Sequence, residues 1–252
     1  MICFPNAKIN LGLNIVSGRE DGYHNIETVF YPIELKDSLE IVPAKEKKGT
    51  FVQSGIPIDG DPRKNLVIKA YQLLKNKFKL PEVDIYLRKN IPFGAGLGGG
   101  SADAAFMIKL LNNYADLNLT EKQMEDFAMQ IGADCPFFIR NKPVFAEGTG
   151  NIFSPVNVSL KDYLITVIKP EIHVSTREAY SRVRTRKPSE SIKKIISEPV
   201  ETWKDRLIND FEMSVFEKYP EIEIVKKKMY DDGAIYASMS GSGSAVFGIF
   251  KI

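Results

Sequence analysis

Five glycines fall within the seven positions from Gly94 to Gly100 of "IPFGAGLGGGSADAA". Each costs up to about 1 kcal/mol relative to alanine wherever regular structure is wanted, because glycine has the most backbone freedom to lose. The run follows the alternating "VDIYLRKNI" (83–91) and precedes a helical stripe of Phe106, Met107, Leu110, Leu111 and Tyr114. It therefore predicts a strand, a bare-backbone loop and a helix in succession, with Ser101 as the expected N-cap. A helix start presents unpaired N–H groups and partial positive charge, and glycines let an anion reach them. The pattern points to a phosphate loop; the competing role is a close strand–helix crossing.

Which phosphate motif this is stays open at the level of residues. Gly94 to Gly99 satisfies G-x-G-x-x-G, and Asp116 lies about 20 residues on. In the dinucleotide fold, however, that acid ends a second parallel strand, whereas "NNYADLNLT" reads as a turn between helices. Gly100 is followed by Ser101-Ala102 rather than by the Lys-Ser/Thr of a Walker A loop. The downstream H-R-D and D-F-G elements of protein kinases are absent, as are G-x-S-x-G and H-E-x-x-H.

The remaining periodicity mixes strands and helices without strict alternation, which predicts an α+β protein in two lobes, 1–153 and 154–252. Ile9, Leu11, Leu13 and Ile15 alternate with Lys8, Asn10, Gly12 and Asn14 in a strand expected to be half-buried. Residues 65–78 change to helical period with Asn65 as N-cap. Thr120 with Gln123, and Ser175 with Glu178, form capping boxes, and Pro220 suits a helix's first turn. "RTRKPSES" (184–191) reads as a polar surface linker.

Lys+Arg 34 against Asp+Glu 32 gives a net charge near +2, too small for a broad nucleic-acid face. No stretch has the apolar length of a membrane span. Two cysteines far apart, Cys3 and Cys135, without an export signal, point to free thiols and a cytoplasmic location.

Lys8 is the only charge between Met1 and Ser17, so it needs a partner or a task. Taken alone it could be an ordinary exposed lysine. Asp134, in "IGADCPFF" just past a predicted helix end, is the natural complement, although a turn aspartate is the plainer reading. Together they suit phosphoryl transfer: the carboxylate accepts the proton of an attacking hydroxyl and the ammonium stabilises developing charge. Tyr23, His24 and Tyr180 stand near turns, where flat rings are recognised.

"PNAKINLGLNI", "PFGAGLGGGSADAA" and "SGSGSAVF", in that order, resemble the three motifs of the galactokinase, homoserine kinase, mevalonate kinase and phosphomevalonate kinase superfamily. "DGYHNIETVF", "NLVIKA", "IGADCPFF", "FAEGTG" and "VSTREAY" narrow the resemblance to the 4-diphosphocytidyl-2-C-methyl-D-erythritol kinase family, over about Asn6 to Phe247. The resemblance implies an N-terminal lobe like the second domain of ribosomal protein S5 and a ferredoxin-like C-terminal lobe. It implies a catalytic pair at Lys8 and Asp134. ATP would be held at Pro92, Phe93, Gly94, Ala95, Gly96, Leu97, Gly98, Gly99, Gly100, Ser101 and Ala102, with Asn65 and Lys89 on the adenine side. Mg²⁺ is expected with the ATP phosphates, its ligand in the chain unassigned. Asn10 would face the substrate polyol, Tyr23, His24 and Tyr180 the cytosine, and Gly241 and Ser242 would close over the substrate. The implied reaction is phosphorylation of a cytidine diphospho-methylerythritol. Another kinase of the same superfamily, acting on homoserine or a mevalonate derivative, is the nearer alternative.

Overall fold

A computed structural model describes residues 1–57, 61, 64–183, 185 and 188–252, and part of the predicted linker 184–191 lies outside them. In chain order the strands are β1 (Ile2–Cys3), β2 (Asn6–Gly18), β3 (His24–Lys36), β4 (Ser38–Pro43), β5 (Phe51–Gly55) and β6 (Val83–Lys89). Helix α1 (Leu66–Lys77) precedes β6, and α2 (Gly99–Tyr114), α3 (Glu121–Met129) and α4 (Cys135–Arg140) follow it. Then come β7 (Val144–Glu147), β8 (Ile152–Pro155), β9 (Tyr163–Ile168), α5 (Thr176–Ser181), α6 (Ile192–Ile196), α7 (Phe211–Lys218) and α8 (Pro220–Asp231). The chain ends with β10 (Tyr236–Met239) and β11 (Val246–Lys251).

Compactness groups these elements into two units that interleave along the chain. The first is Met1–Ala7, Glu34–Phe93 and Gly98–Lys142; the second is Lys8–Ile33, Gly94–Leu97 and Pro143–Ile252.

In the first unit, helices α1 to α4 accompany a four-stranded sheet ordered β1-β4-β6-β5. Asn65 caps α1 as its sequence position predicts, its side chain accepting from the Val67 amide at 2.9 Å. Thr120 and Gln123 close a reciprocal capping box on α3. The cap of α2 differs from expectation. Gly98, at φ 70°, is the N-cap, and Ser101 lies inside the first turn. A left-handed residue lets the chain turn directly from loop to helix, so the glycines start the helix themselves. Helix α4 was not anticipated: six residues with Pro136 near the start carry too little periodicity to read.

In the second unit, a sheet ordered β2-β3-β7-β8 accompanies a three-stranded sheet ordered β10-β11-β9, in which all neighbours run antiparallel. β2 is buried at every position from Asn6 to Ile15, not on one face only, because its polar side chains find partners inside. The core joins Leu13 and Ile15 of β2 to Phe211, Val215, Ile222, Met229, Met239 and Val246. Ser175 caps α5 through the Glu178 amide, but the Glu178 carboxylate turns to Lys218 and the Tyr219 hydroxyl, so only half of that predicted box forms.

Candidate active site

The glycine run passes from the second unit, at Gly94–Leu97, to the first, at Gly98 onward. Its glycines answer to different neighbours. At Gly96, φ is +77° and a Cβ would stand 1.9 Å from the Ser240 carbonyl oxygen. The backbone of the turn after β10 therefore claims that space, and no ligand is needed to explain this glycine. At Gly99 a Cβ would meet the Ile91 side chain at 2.8 Å. At Gly100 the nearest atom a Cβ would meet is Leu66 Cδ1 at 3.7 Å, an ordinary contact, so no protein neighbour requires a glycine there. The first α-helical bond of α2 runs from the Ala102 amide to the Gly98 carbonyl, so the amides of Gly99, Gly100 and Ser101 precede the intrahelical ladder. Gly98 supplies no side-chain cap for them. Ala95, Leu97 and Ala102 are buried, while Phe93 is 61% exposed and Pro92 half-buried.

In the second unit the Lys8 ammonium, 4% exposed, donates to Asn10 Oδ1 at 2.6 Å and to the Gly96 carbonyl at 2.9 Å, and lies 5.0 Å above the Phe30 ring. The Lys8 amide also donates to the Leu97 carbonyl at 2.9 Å, so strand β2 and the loop run side by side. Ser240 Oγ donates to the same Gly96 carbonyl at 2.9 Å, and the Ala245 amide donates to the Ala95 carbonyl at 3.2 Å. One carbonyl thus ties the charge on β2 to the C-terminal turn. Asn10 is 1% exposed and engaged at both ends, Oδ1 by Lys8 and Nδ2 by donation to Thr28 Oγ1 at 2.9 Å. Thr28 Oγ1 in turn donates to the Gly12 carbonyl at 2.6 Å. Asn10 thus helps hold the lysine in place. Thr28 and Ser240 are the site residues that sequence reading missed; cross-strand register, which brings them in, is not written in local pattern.

In the first unit Asp134 sits immediately before α4 with its side chain free of capping duty. The next residue, Cys135, opens α4, which packs against α2 within the same unit. That packing places the carboxylate-bearing turn beside the helix that the glycines open. Burial pushes the Cys135 thiol up to about 12, so it stays protonated. Asn65 spends Oδ1 on its helix cap, and its Nδ2 reaches Gln53 Oε1 only at 3.4 Å.

Lys89 departs from its expected role. Its ammonium is 2% exposed and enclosed by the carboxylates of Asp37 and Asp103, the latter at 2.7 Å. An adenine cannot reach that charge; only the main chain of Lys89 is left to it. Asp103 is likewise turned inward, so its carboxylate does not face the helix start where phosphate would sit. Burial, opposed by Lys89 and reinforced by Asp37, lifts its carboxyl to about 7.

The aromatic residues divide. The rings of His24 and Tyr180 stack 4.8 Å apart at 22°, and Tyr180 meets Phe211 edge-on, also at 4.8 Å. Tyr23 stands 66% exposed. His24 thus covers one face of Tyr180. Ser242 Oγ lies 3.4 Å from Thr176 Oγ1, and a Cβ on Gly241 would come 3.3 Å from Gly96 Cα.

Comparison with known proteins gives the family of the chain. The family described as GHMP kinases N terminal domain matches residues 65–142, and GHMP kinases C terminal matches 185–251. A 4-diphosphocytidyl-2-C-methyl-D-erythritol kinase of Bacteroides fragilis is 61% identical over 100% of this chain and 92% of its own length. That of Cytophaga hutchinsonii is 54% identical over 100% of this chain and 93% of its own. A crystal structure of 4-(cytidine 5'-diphospho)-2C-methyl-D-erythritol kinase superposes with a TM-score of 0.82 at 32% identity, covering 99% of this chain and 90% of that one. Mevalonate kinase of Methanococcus jannaschii, at 14% identity and a TM-score of 0.72 over 100% of this chain and 90% of its own, shares the fold. No helix among the described residues is long and apolar enough to cross a membrane. By its two kinase domains and its full-length likeness to these relatives, the chain belongs to the 4-diphosphocytidyl-2-C-methyl-D-erythritol kinase family of the GHMP kinases.

Proposed function

We propose that this protein transfers the terminal phosphoryl group of ATP to the 2-hydroxyl of 4-diphosphocytidyl-2-C-methyl-D-erythritol, in the non-mevalonate route to isoprenoid precursors. The observation that carries the reading is the clamped loop: a buried lysine and a C-terminal serine grip one carbonyl of the glycine run, whose far end opens a helix with uncapped amides. Those amides, at Gly99, Gly100 and Ser101, suit the ATP phosphates. Preorganised donors of this kind are worth most because they need no rearrangement when charge develops.

Asp134 orients the acceptor hydroxyl and takes its proton as the oxygen attacks phosphorus. Lys8, fixed by Asn10 and the Gly96 carbonyl, offsets the negative charge growing on the transferring oxygens. Among the described residues no three His, Cys, Asp or Glu side chains gather to cage a cation. The described residues thus offer Mg²⁺ no cage, and the ion would enter on the ATP phosphates, where it would add charge neutralisation. Tyr23, His24 and Tyr180 read the pyrimidine, whose stacking and edge hydrogen bonding homoserine and mevalonate cannot use. Asn65 and the main chain of Lys89 serve the adenine side, and Gly241 and Ser242 the acceptor. The lobes 1–153 and 154–252 are the working division, the ATP loop on the first, with Tyr180, Gly241 and Ser242 brought to the acceptor by the second.

Asp134→Asn tests the roles directly. Loss of a positioned base costs about 10²–10⁴ in turnover, while ATP binding by titration should stay within twofold. Turnover close to the parent's would remove Asp134 from the chemistry. Robust activity with homoserine or mevalonate, and none with the cytidylyl compound, would overturn the substrate.

A further inference from the structure

Three charged side chains are sealed from water where the glycine loop begins and ends. Asp37 is 0% exposed and Lys89 and Asp103 each 2%. Lys89, the last residue of β6, contacts both carboxylates. Asp37 Oδ1 also accepts the amides of Asn90 at 2.6 Å and Ile91 at 2.8 Å, the two residues that carry the chain out of β6. The Asp37 amide is itself anchored on the Pro5 carbonyl at 2.8 Å. Asp103 stands on α2 one turn beyond Gly99, and a Cβ on Gly99 would come 3.4 Å from Lys89 Nζ. One cluster thus holds the segment entering the loop and the helix leaving it.

Stability alone is a poor reason for such a cluster, because buried ion groups are commonly replaced by apolar side chains of similar volume at no loss. Nor is the network closed. Asp103 Oδ1 is buried without a hydrogen-bond partner among the described residues, which is unusual for an interior polar atom. What apolar side chains could not do is fix the direction of the Asn90 and Ile91 amides and tether α2 to β6 by a directional bond. We propose that Asp37, Lys89 and Asp103 are positioning residues for ATP: they set the span and angle between the end of β6 and the start of α2, and hence the aim of the helix amides at the phosphates. The inference rests on reading the glycine run as the ATP loop. None of the three touches the nucleotide through its side chain.

The test uses the full chain, with ATP and 4-diphosphocytidyl-2-C-methyl-D-erythritol varied separately, and compares the parent with Asp103→Asn and with the apolar pair Lys89→Met/Asp103→Leu. The apolar pair leaves the Asp37 carboxylate with only the Asn90 and Ile91 amides, so it should melt below the parent, raise KM for ATP at least tenfold and leave KM for the acceptor within twofold. Asp103→Asn, which keeps an acceptor for Lys89, should raise KM for ATP by a smaller factor of about three, again without moving the acceptor KM. Folded variants whose KM for ATP stays within twofold, or whose two KM values rise together, would overturn the proposal. Should the apolar pair fail to fold, Asp103→Asn decides by the same threefold criterion. Direct titration of the parent with ATP separates the two readings. A parent that does not bind ATP sinks the nucleotide loop itself, whereas a binding parent with unaffected variants sinks only the positioning role.

Discussion

Gly96 and Gly100 lie four residues apart in one run, yet alanine at the two should fail in opposite ways. At Gly96 the new Cβ would stand 1.9 Å from the Ser240 carbonyl oxygen, where contacts under 3.0 Å are not tolerated, so backbone must shift by about 1 Å or more. The residue is also held at φ +77°, which costs a side-chain-bearing residue about 1–2 kcal/mol. If the Gly96 carbonyl moves, it loosens its bonds from Lys8 and Ser240, worth about 1.5–3 kcal/mol for the charged donor and about 0.5–1.5 for the neutral one. Gly96→Ala should therefore lose about 3–6 kcal/mol, a fall in melting temperature of about 10 °C or more in a domain of this size. Displacing Lys8 by an ångström should also cost about 100-fold in kcat. At Gly100 nothing lies within 3.7 Å, and alanine in the first turn of α2 should leave stability unchanged or raise it by up to about 1 kcal/mol. There a methyl group stands among the amides meant for phosphate, so KM for ATP should rise about tenfold. Thermal melts and two-substrate kinetics on both variants decide the matter. A Gly96→Ala protein as stable and active as the parent, or a Gly100→Ala protein with an unaltered KM for ATP, would refute the division of labour among these glycines.

Other outcomes follow from buried groups. The Asp103 carboxyl is lifted from its ordinary 3.8 to about 7 in the folded protein, so the folded state binds that proton more tightly than the unfolded chain. Its contribution is full below about pH 4 and lost as pH rises through 7. Urea unfolding should show the parent losing about 2 kcal/mol more than Asp103→Asn between pH 5 and pH 8; parallel profiles would contradict the shift. Burial holds the Cys3 and Cys135 thiols near 12, so alkylation at pH 8 should label neither in the native protein and both after denaturation. Thr28→Val removes the hydroxyl that accepts from Asn10 and donates to Gly12. It should cost about 1–3 kcal/mol of stability and lower kcat through Lys8 while KM for ATP stays constant, as steady-state kinetics would show.

What could be read before the structure was whatever depends on neighbours in the chain. Asn65 and Thr120 cap their helices where the spacing puts them, and β2 is a strand where alternation predicts one. Strands β7 and β8, four residues each, are too short for alternation to register, and the αL start at Gly98 overrode the better intrinsic capper, Ser101. In the candidate site, the motif placed Lys8 and the glycines. The inward turn of Lys89 had no local sign, because its partner Asp37 is 52 positions away. The bond from Asn10 to Thr28 on β3, 18 positions away, likewise has no local sign. Long-range hydrogen bonding decides whether a polar side chain serves the substrate or the scaffold.

The three-stranded sheet has β11 in its middle, paired on one side with β10 and on the other with β9. The middle strand is thus made from Val246–Lys251, which is synthesised after both of its neighbours. Until β11 emerges, β9 lacks its sheet partner, although every segment of the first unit, ending at Lys142, is already made. Synthesis therefore delivers a finished unit before an unfinished one, and a nascent chain stalled ahead of β11 would expose open strand edges rather than a slightly shortened enzyme.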